Sequence, residues 1–168
     1  MRRAAGGFTL VELIVALVLL GILGSVGASR FFDAQNYRAR GWRDDVLVTS
    51  RYARAVAVAA RASKVRLTLT ASQVRAELAA DCTTVSSVTA IRSPGGGGDL
   101  VSDAPSGVVL SVVGQSLPLV VCFDGLGRPL QASTAAGVPF AAALQLRLSS
   151  QGLDLPLTIE AETGYIHP

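Results

Sequence analysis

One carboxylate stands alone in the first thirty residues of this chain. From Phe8 to Ser29 the only ionisable side chain is Glu12. A charge inside so apolar a stretch costs on the order of 2.5–3.5 kcal/mol on insertion scales, so its presence asks for a function. Arg2 and Arg3, followed by the small pair Gly6-Gly7, stand directly ahead of the run. A secretory signal places its small-residue cleavage site after the apolar segment, whereas cleavage at this pair would discard a basic leader and keep the apolar run.

Elsewhere the chemistry-bearing residues are few. Cys82 and Cys122 can form one disulfide or remain two buried thiols. With the single histidine, His167, they lack the clustered spacing of a metal site, so no metal and no cofactor are expected. Neither cysteine has a sequence context that activates a thiolate. Glu160 and Glu162 are expected on one solvent-facing side of a strand. The glycine-rich stretch from Ser93 to Asp99 has no phosphate-binding lysine and reads as a flexible connection. An enzyme is not expected.

The basic leader, the run Gly7-Phe8-Thr9-Leu10-Val11-Glu12 and the long apolar segment together resemble the N terminus of type IV prepilins and pseudopilins. The resemblance implies that prepilin peptidase cuts between Gly7 and Phe8 and methylates Phe8, making Glu12 the fifth mature residue. It also implies that Glu12 serves assembly. The ammonium freed at Phe8 and the Glu12 carboxylate of a neighbour neutralise each other where water is scarce. Within one subunit, Glu12 can instead reach its own N terminus across one helical turn.

The elements that must carry these residues follow from pattern. The apolar run from Phe8 to Ser29 covers about 22 residues, or roughly 33 Å as a helix, enough for a bilayer core. No proline precedes Pro94 and helix formers dominate through Arg61, so the helix is expected to continue past the span. Gly21, Gly24, Gly27 and Gly41 are its weak points. Over residues 40–61 a helical projection puts Trp42, Val46, Thr49, Ala53, Val56 and Ala60 on one face, to lie on a sheet. Arg40, Arg43, Arg51, Arg54 and Arg61 fall on the other, an outward stripe for polyanions or neighbouring subunits, or simply a solvated face.

Beyond the helix the period changes to two. Val65, Leu67, Leu69 and then Val74, Ala76, Leu78 alternate with polar residues, predicting a hairpin that turns near Ala71-Ser72. Further strands are expected over 86–91, 108–113, 117–123, 143–148 and 155–161, in a mainly antiparallel sheet. The segment Cys122 to Pro129 reads as a turn in which Pro129 discourages further pairing. The fold class is therefore α+β: a long N-terminal helix, membrane-spanning in its first half, packed on an antiparallel sheet as in pilins. The expected order is a basic leader at 1–7, a transmembrane helix at 8–29, a periplasmic continuation at 30–63 and a β-rich domain at 64–168.

The early hairpin, Phe123 followed by Asp124-Gly125, and a closing strand ending in Thr163-Gly164 narrow the resemblance to the type II secretion protein H and FimT family of minor pilins. That resemblance implies a low-copy structural subunit of a secretion pseudopilus or type IV pilus. Its partners would be other pilins, prepilin peptidase and the bacterial inner membrane, with the C-terminal domain in the periplasm. Arginines after the span outnumber those before it, which by charge alone would place the domain in the cytoplasm. The processing site decides the orientation instead. DNA-binding members carry glycine followed by arginines near the C terminus, whereas here Gly164 is followed by Tyr165, Ile166, His167 and Pro168. DNA capture, supported by the stripe with Arg66 and Arg75, therefore stands second. Without the leader, the net charge of +3 falls to about +1.

Overall fold

The computed structural model describes residues 9–61, 63–83 and 88–168, with side chains placed outside 24–33. Helix α1 runs Leu10–Ala60. It starts where Thr9 can cap it: the Thr9 hydroxyl accepts the Glu12 N–H at 3.3 Å, and the Thr9 carbonyl accepts that of Leu13 at 3.2 Å. Thr9-x-x-Glu12 is the sequence pattern of a capping box, and an acidic residue in the first turn suits the positive end of the helix dipole. The helix stops at Arg61, whose φ of 43° is the left-handed ending that glycine usually takes. Gly125 backs this stop closely, since a Cβ there would lie 2.8 Å from the Arg61 carbonyl oxygen.

The chain divides into two units, Met1–Gln35 and Asn36–Pro168. In the second, α1 buries Ala39, Trp42, Val46, Thr49, Ser50, Ala53 and Ala57, at intervals of three and four. Four positions of the expected face hold. Val56 and Ala60 are only half-buried, because Ala57 takes the deep position beside them.

The strands form two antiparallel sheets rather than one. Strands β1 (Lys64–Leu69) and β2 (Gln73–Ala79) are the expected hairpin, with Leu69 opposite Val74 and the Thr70 N–H donating to the Gln73 carbonyl at 2.9 Å. After them come β3 (Thr89–Ala90), β4 (Val101–Asp103) and β5 (Val109–Val112). Next are β6 (Leu119–Phe123), β7 (Pro129–Gln131) and β8 (Val138–Pro139). The last are β9 (Leu144–Ser150), β10 (Leu153–Ile159) and β11 (Ile166–His167). The first sheet has the order β3-β2-β1-β6-β7-β8, with β4 also on β2; the second has the order β11-β10-β9-β5. Each turns one face inward, so Leu67 and Phe123 from one sheet and Leu146 and Leu157 from the other share a core with Trp42 and Val46. Burial of each such leucine or phenylalanine side chain contributes roughly 1.5–3 kcal/mol.

Two strand expectations are corrected. Pro129 opens β7 opposite Phe123, since a proline at the first position of a strand gives up no essential donor. The closing strand ends at Ile159, so Glu160 and Glu162 lie in the β10–β11 connection rather than on one strand face. Thr163-Gly164 belongs to the same connection, folded by the Gly164 N–H donating to the Glu160 carbonyl at 2.8 Å.

Candidate functional site

The N-terminal unit has one chemical theme. From Leu10 to Leu23 its large apolar side chains are exposed on every side of the helix, from 51% at Ile14 to 74% at Leu10. A helix apolar all round has no face suited to water, so its surface calls for apolar cover. Glu12 interrupts that surface in the first turn, and among the described residues no cation pairs with it. Gly7 and Phe8 lie outside the described residues. Among those described, no helix is long and apolar enough to cross a membrane. The placed side chains of the expected span end at Leu23, and its remainder over 24–29 lies outside them.

The arginine stripe is not a row of five free cations. Arg51 Nε donates to the Ile166 carbonyl at 2.9 Å, and its guanidinium lies 5.7 Å over the Tyr165 ring. Arg54 Nε donates to the Thr163 carbonyl at 2.9 Å and to that of Gly127 at 3.3 Å. Arg51 therefore holds the last strand against α1, and Arg54 holds the β10–β11 connection and the β6–β7 turn. Arg43 pairs with Asp44 at 2.7 Å, while Arg40 and Arg61 are exposed. Of the two arginines grouped with the stripe, Arg66 is buried to 7% exposure and Arg75 pairs with Glu77 at 3.2 Å. The expected outward polyanion surface is corrected accordingly: the C-terminal carbonyls, which no local pattern reveals, claim its centre.

Around Arg51 the packing continues outward. Tyr165 stacks on His167 with ring centroids 5.5 Å apart, and His167 Nε2 is 3.0 Å from Glu160 Oε1. The hydrogen bond with Glu160, supported by the Pro168 carbonyl, holds His167 above its ordinary pKa. Beneath this stack Gly164 sits so close to Gly127 that a methyl group would run into the Gly127 carbonyl oxygen, and its φ of 64° favours glycine as well.

Sequence reasoning treated Asp124 as a plain turn former, yet it is buried and organises the β6–β7 turn. Its carboxylate accepts the N–H groups of Leu126 and Arg128, both at 2.9 Å, and the Arg128 guanidinium at 2.8–2.9 Å. Burial pushes this carboxyl up, but the hydrogen bonds from Arg128 and Leu126 outweigh it and leave the group below its ordinary value.

On the face of the first sheet turned away from α1, Cys82 and Cys122 form a disulfide with Cα atoms 5.6 Å apart. The bond ties the segment after β2 to β6, and with Leu130 it makes a small second core. The segment before β8 lies over it: the Cys82 N–H donates to the Ala135 carbonyl at 3.0 Å, and a Cβ on Gly137 would lie 3.0 Å from Cys82 Sγ. No group of three or more metal-ligating side chains occurs among the described residues.

Residues 2–28 match the prokaryotic N-terminal methylation motif. No curated protein and no solved structure matches the chain. The matched segment is a type IV pilin-like prepilin signal, which supports processing by prepilin peptidase with methylation and implies membrane anchoring. It contains Gly7, Phe8 and Glu12.

Proposed function

We propose that this protein is a minor pseudopilin or minor pilin, a low-copy structural subunit of a type II secretion pseudopilus or a type IV pilus, akin to the protein H and FimT family. Its work is assembly rather than catalysis. The observation that carries the reading is the helix from Leu10 to Leu23, apolar on every side and interrupted by Glu12 inside a methylation motif. Prepilin peptidase releases the leader at Gly7-Phe8, and the inner membrane covers the apolar helix. On entry into a filament, the helices of other subunits replace the lipid, and the Glu12 carboxylate meets the ammonium of a neighbouring N terminus. The domain from 64 to 168 then stands in the periplasm, where the Cys82–Cys122 bond suits the oxidising compartment.

Glu12→Ala tests this reading. The variant is expected to be processed and N-methylated at Phe8, as mass spectrometry of the membrane fraction would reveal, yet to fall several-fold in the sheared or cross-linked filament fraction. Unchanged incorporation would sink the proposed pairing. DNA uptake ranks second, because Arg51 and Arg54 already hold backbone carbonyls and the C-terminal arginines are absent.

A further inference from the structure

The C-terminal end of α1 opens on a cavity of about 630 Å³ whose wall combines cations with apolar side chains. Arg61 and Lys64 supply the charge, Val58 and Leu126 the apolar surface. All four can be reached from outside: Val58 is 40% and Leu126 70% exposed, Arg61 is exposed and Lys64 half-buried. Arg61 holds its left-handed φ of 43°, which glycine adopts with less strain, so an arginine side chain stands here against the preference of the backbone.

The positive charge on this wall is not answered from within the chain. Asp124 also lines the cavity, but Arg128 already pairs with it at 2.8 Å. The ion pairs among the described residues leave out Arg61 and Lys64. The carbonyl end of α1 offsets about half an elementary charge, so more than one positive charge is left over. Leu126, in turn, is held in place: the Asp124 carboxylate accepts its N–H at 2.9 Å, and the Gly127 N–H donates to the Asp124 carbonyl at 2.8 Å. A fixed apolar side chain loses little freedom when it is covered. A phosphodiester strand would answer the cations and leave the leucine in water, and the wall carries no aromatic ring on which a base could stack. A protein segment with a carboxylate beside an apolar side chain answers both halves of the wall.

We propose that this cavity receives a segment of a neighbouring filament subunit in which an aspartate or glutamate adjoins a leucine-like side chain. Arg61 and Lys64 take the carboxylate, and Leu126 with Val58 covers the apolar group. The inference rests on the filament reading for the neighbour and adds that neighbour's chemistry. Its test reads binding by the isolated chain, so its failure would leave membrane insertion and assembly through Glu12 untouched.

The full chain, carbon-13 labelled at leucine and valine methyl groups and held in detergent, would be titrated with acetyl-Leu-Glu-Leu-Glu-amide and with its neutral counterpart, acetyl-Leu-Gln-Leu-Gln-amide. The Leu126 and Val58 methyl signals are expected to shift saturably with the acidic peptide. The glutamine peptide should bind about tenfold more weakly, the scale of one charge pair. Arg61→Gly removes a cation while suiting the left-handed backbone, so the fold is kept. It should weaken the acidic peptide several-fold and leave the glutamine peptide unchanged. With Lys64→Gln added, the acidic peptide should bind no better than the neutral one, whereas Leu126→Ser, at an exposed position, should weaken both. Equal affinity for the two peptides, affinity untouched by Arg61→Gly, or shifts confined to methyl groups away from this cavity would overturn the proposal. So would an affinity for a single-stranded oligonucleotide, or for an anionic lipid added to the micelles, equal to that for the acidic peptide.

Discussion

At the scale of single residues, two titrating groups have opposite consequences. The Asp124 carboxyl is held below its ordinary pKa in the folded chain, so its stabilisation is present above the unfolded value of about 3.9 and is lost as pH falls through the folded value. Asp124→Asn should cost about 1–3 kcal/mol at pH 7, since a buried acceptor of charged and backbone donors is replaced by a weaker one. The deficit should shrink near pH 3, as urea unfolding of both proteins at the two pH values would measure. His167 is raised, so its contribution is full below about 6.5 and disappears as pH climbs through the folded value. Protection of the Glu160 amide, which donates to the Tyr165 carbonyl, should therefore decline through that window once intrinsic exchange is corrected, and be flat with pH in His167→Ala. The Thr9 cap on the Glu12 N–H is legible in the spacing Thr9-x-x-Glu12, which a reading of Glu12 as a lone charge in an apolar run leaves out.

At the scale of elements, α1 is held to the end of the chain by two guanidinium groups. Arg54→Ala removes the donor shared by Thr163 and Gly127, and should destabilise by about 1 kcal/mol, the charge-assisted bond being discounted for partial exposure. Thermal unfolding followed by circular dichroism would measure the loss, and Arg40→Ala, at an exposed position, should leave the midpoint in place. These roles were invisible in the sequence for a definite reason: the carbonyls bound by Arg51 and Arg54 lie 115 and 109 positions away. The β1–β2 hairpin was legible because six residues on each strand alternate in register. Strands β4, β7, β8 and β11, with two or three residues each, are too short to show a period, and only neighbouring strands define them. The split into two sheets was equally hidden, since β5 and β9 announce their pattern but not their partners.

At the scale of the whole molecule, the methylation motif and the β-rich domain are written in different kinds of information. The first is a contiguous motif, complete within residues 2–28, and can be read in order. The second depends on two inward faces and a helix meeting around one core, which composition does not specify. The disulfide belongs to this second kind, and its position has a kinetic consequence. Both sulfur-bearing side chains are fully buried, and Gly137 is packed against one of them. A thiolate must touch sulfur to break the bond, so a reductant can act only as often as the covering segment opens. Once closed, the Cys82–Cys122 bridge is governed by the breathing of its own lid, and brief exposure to a reducing environment leaves it shut.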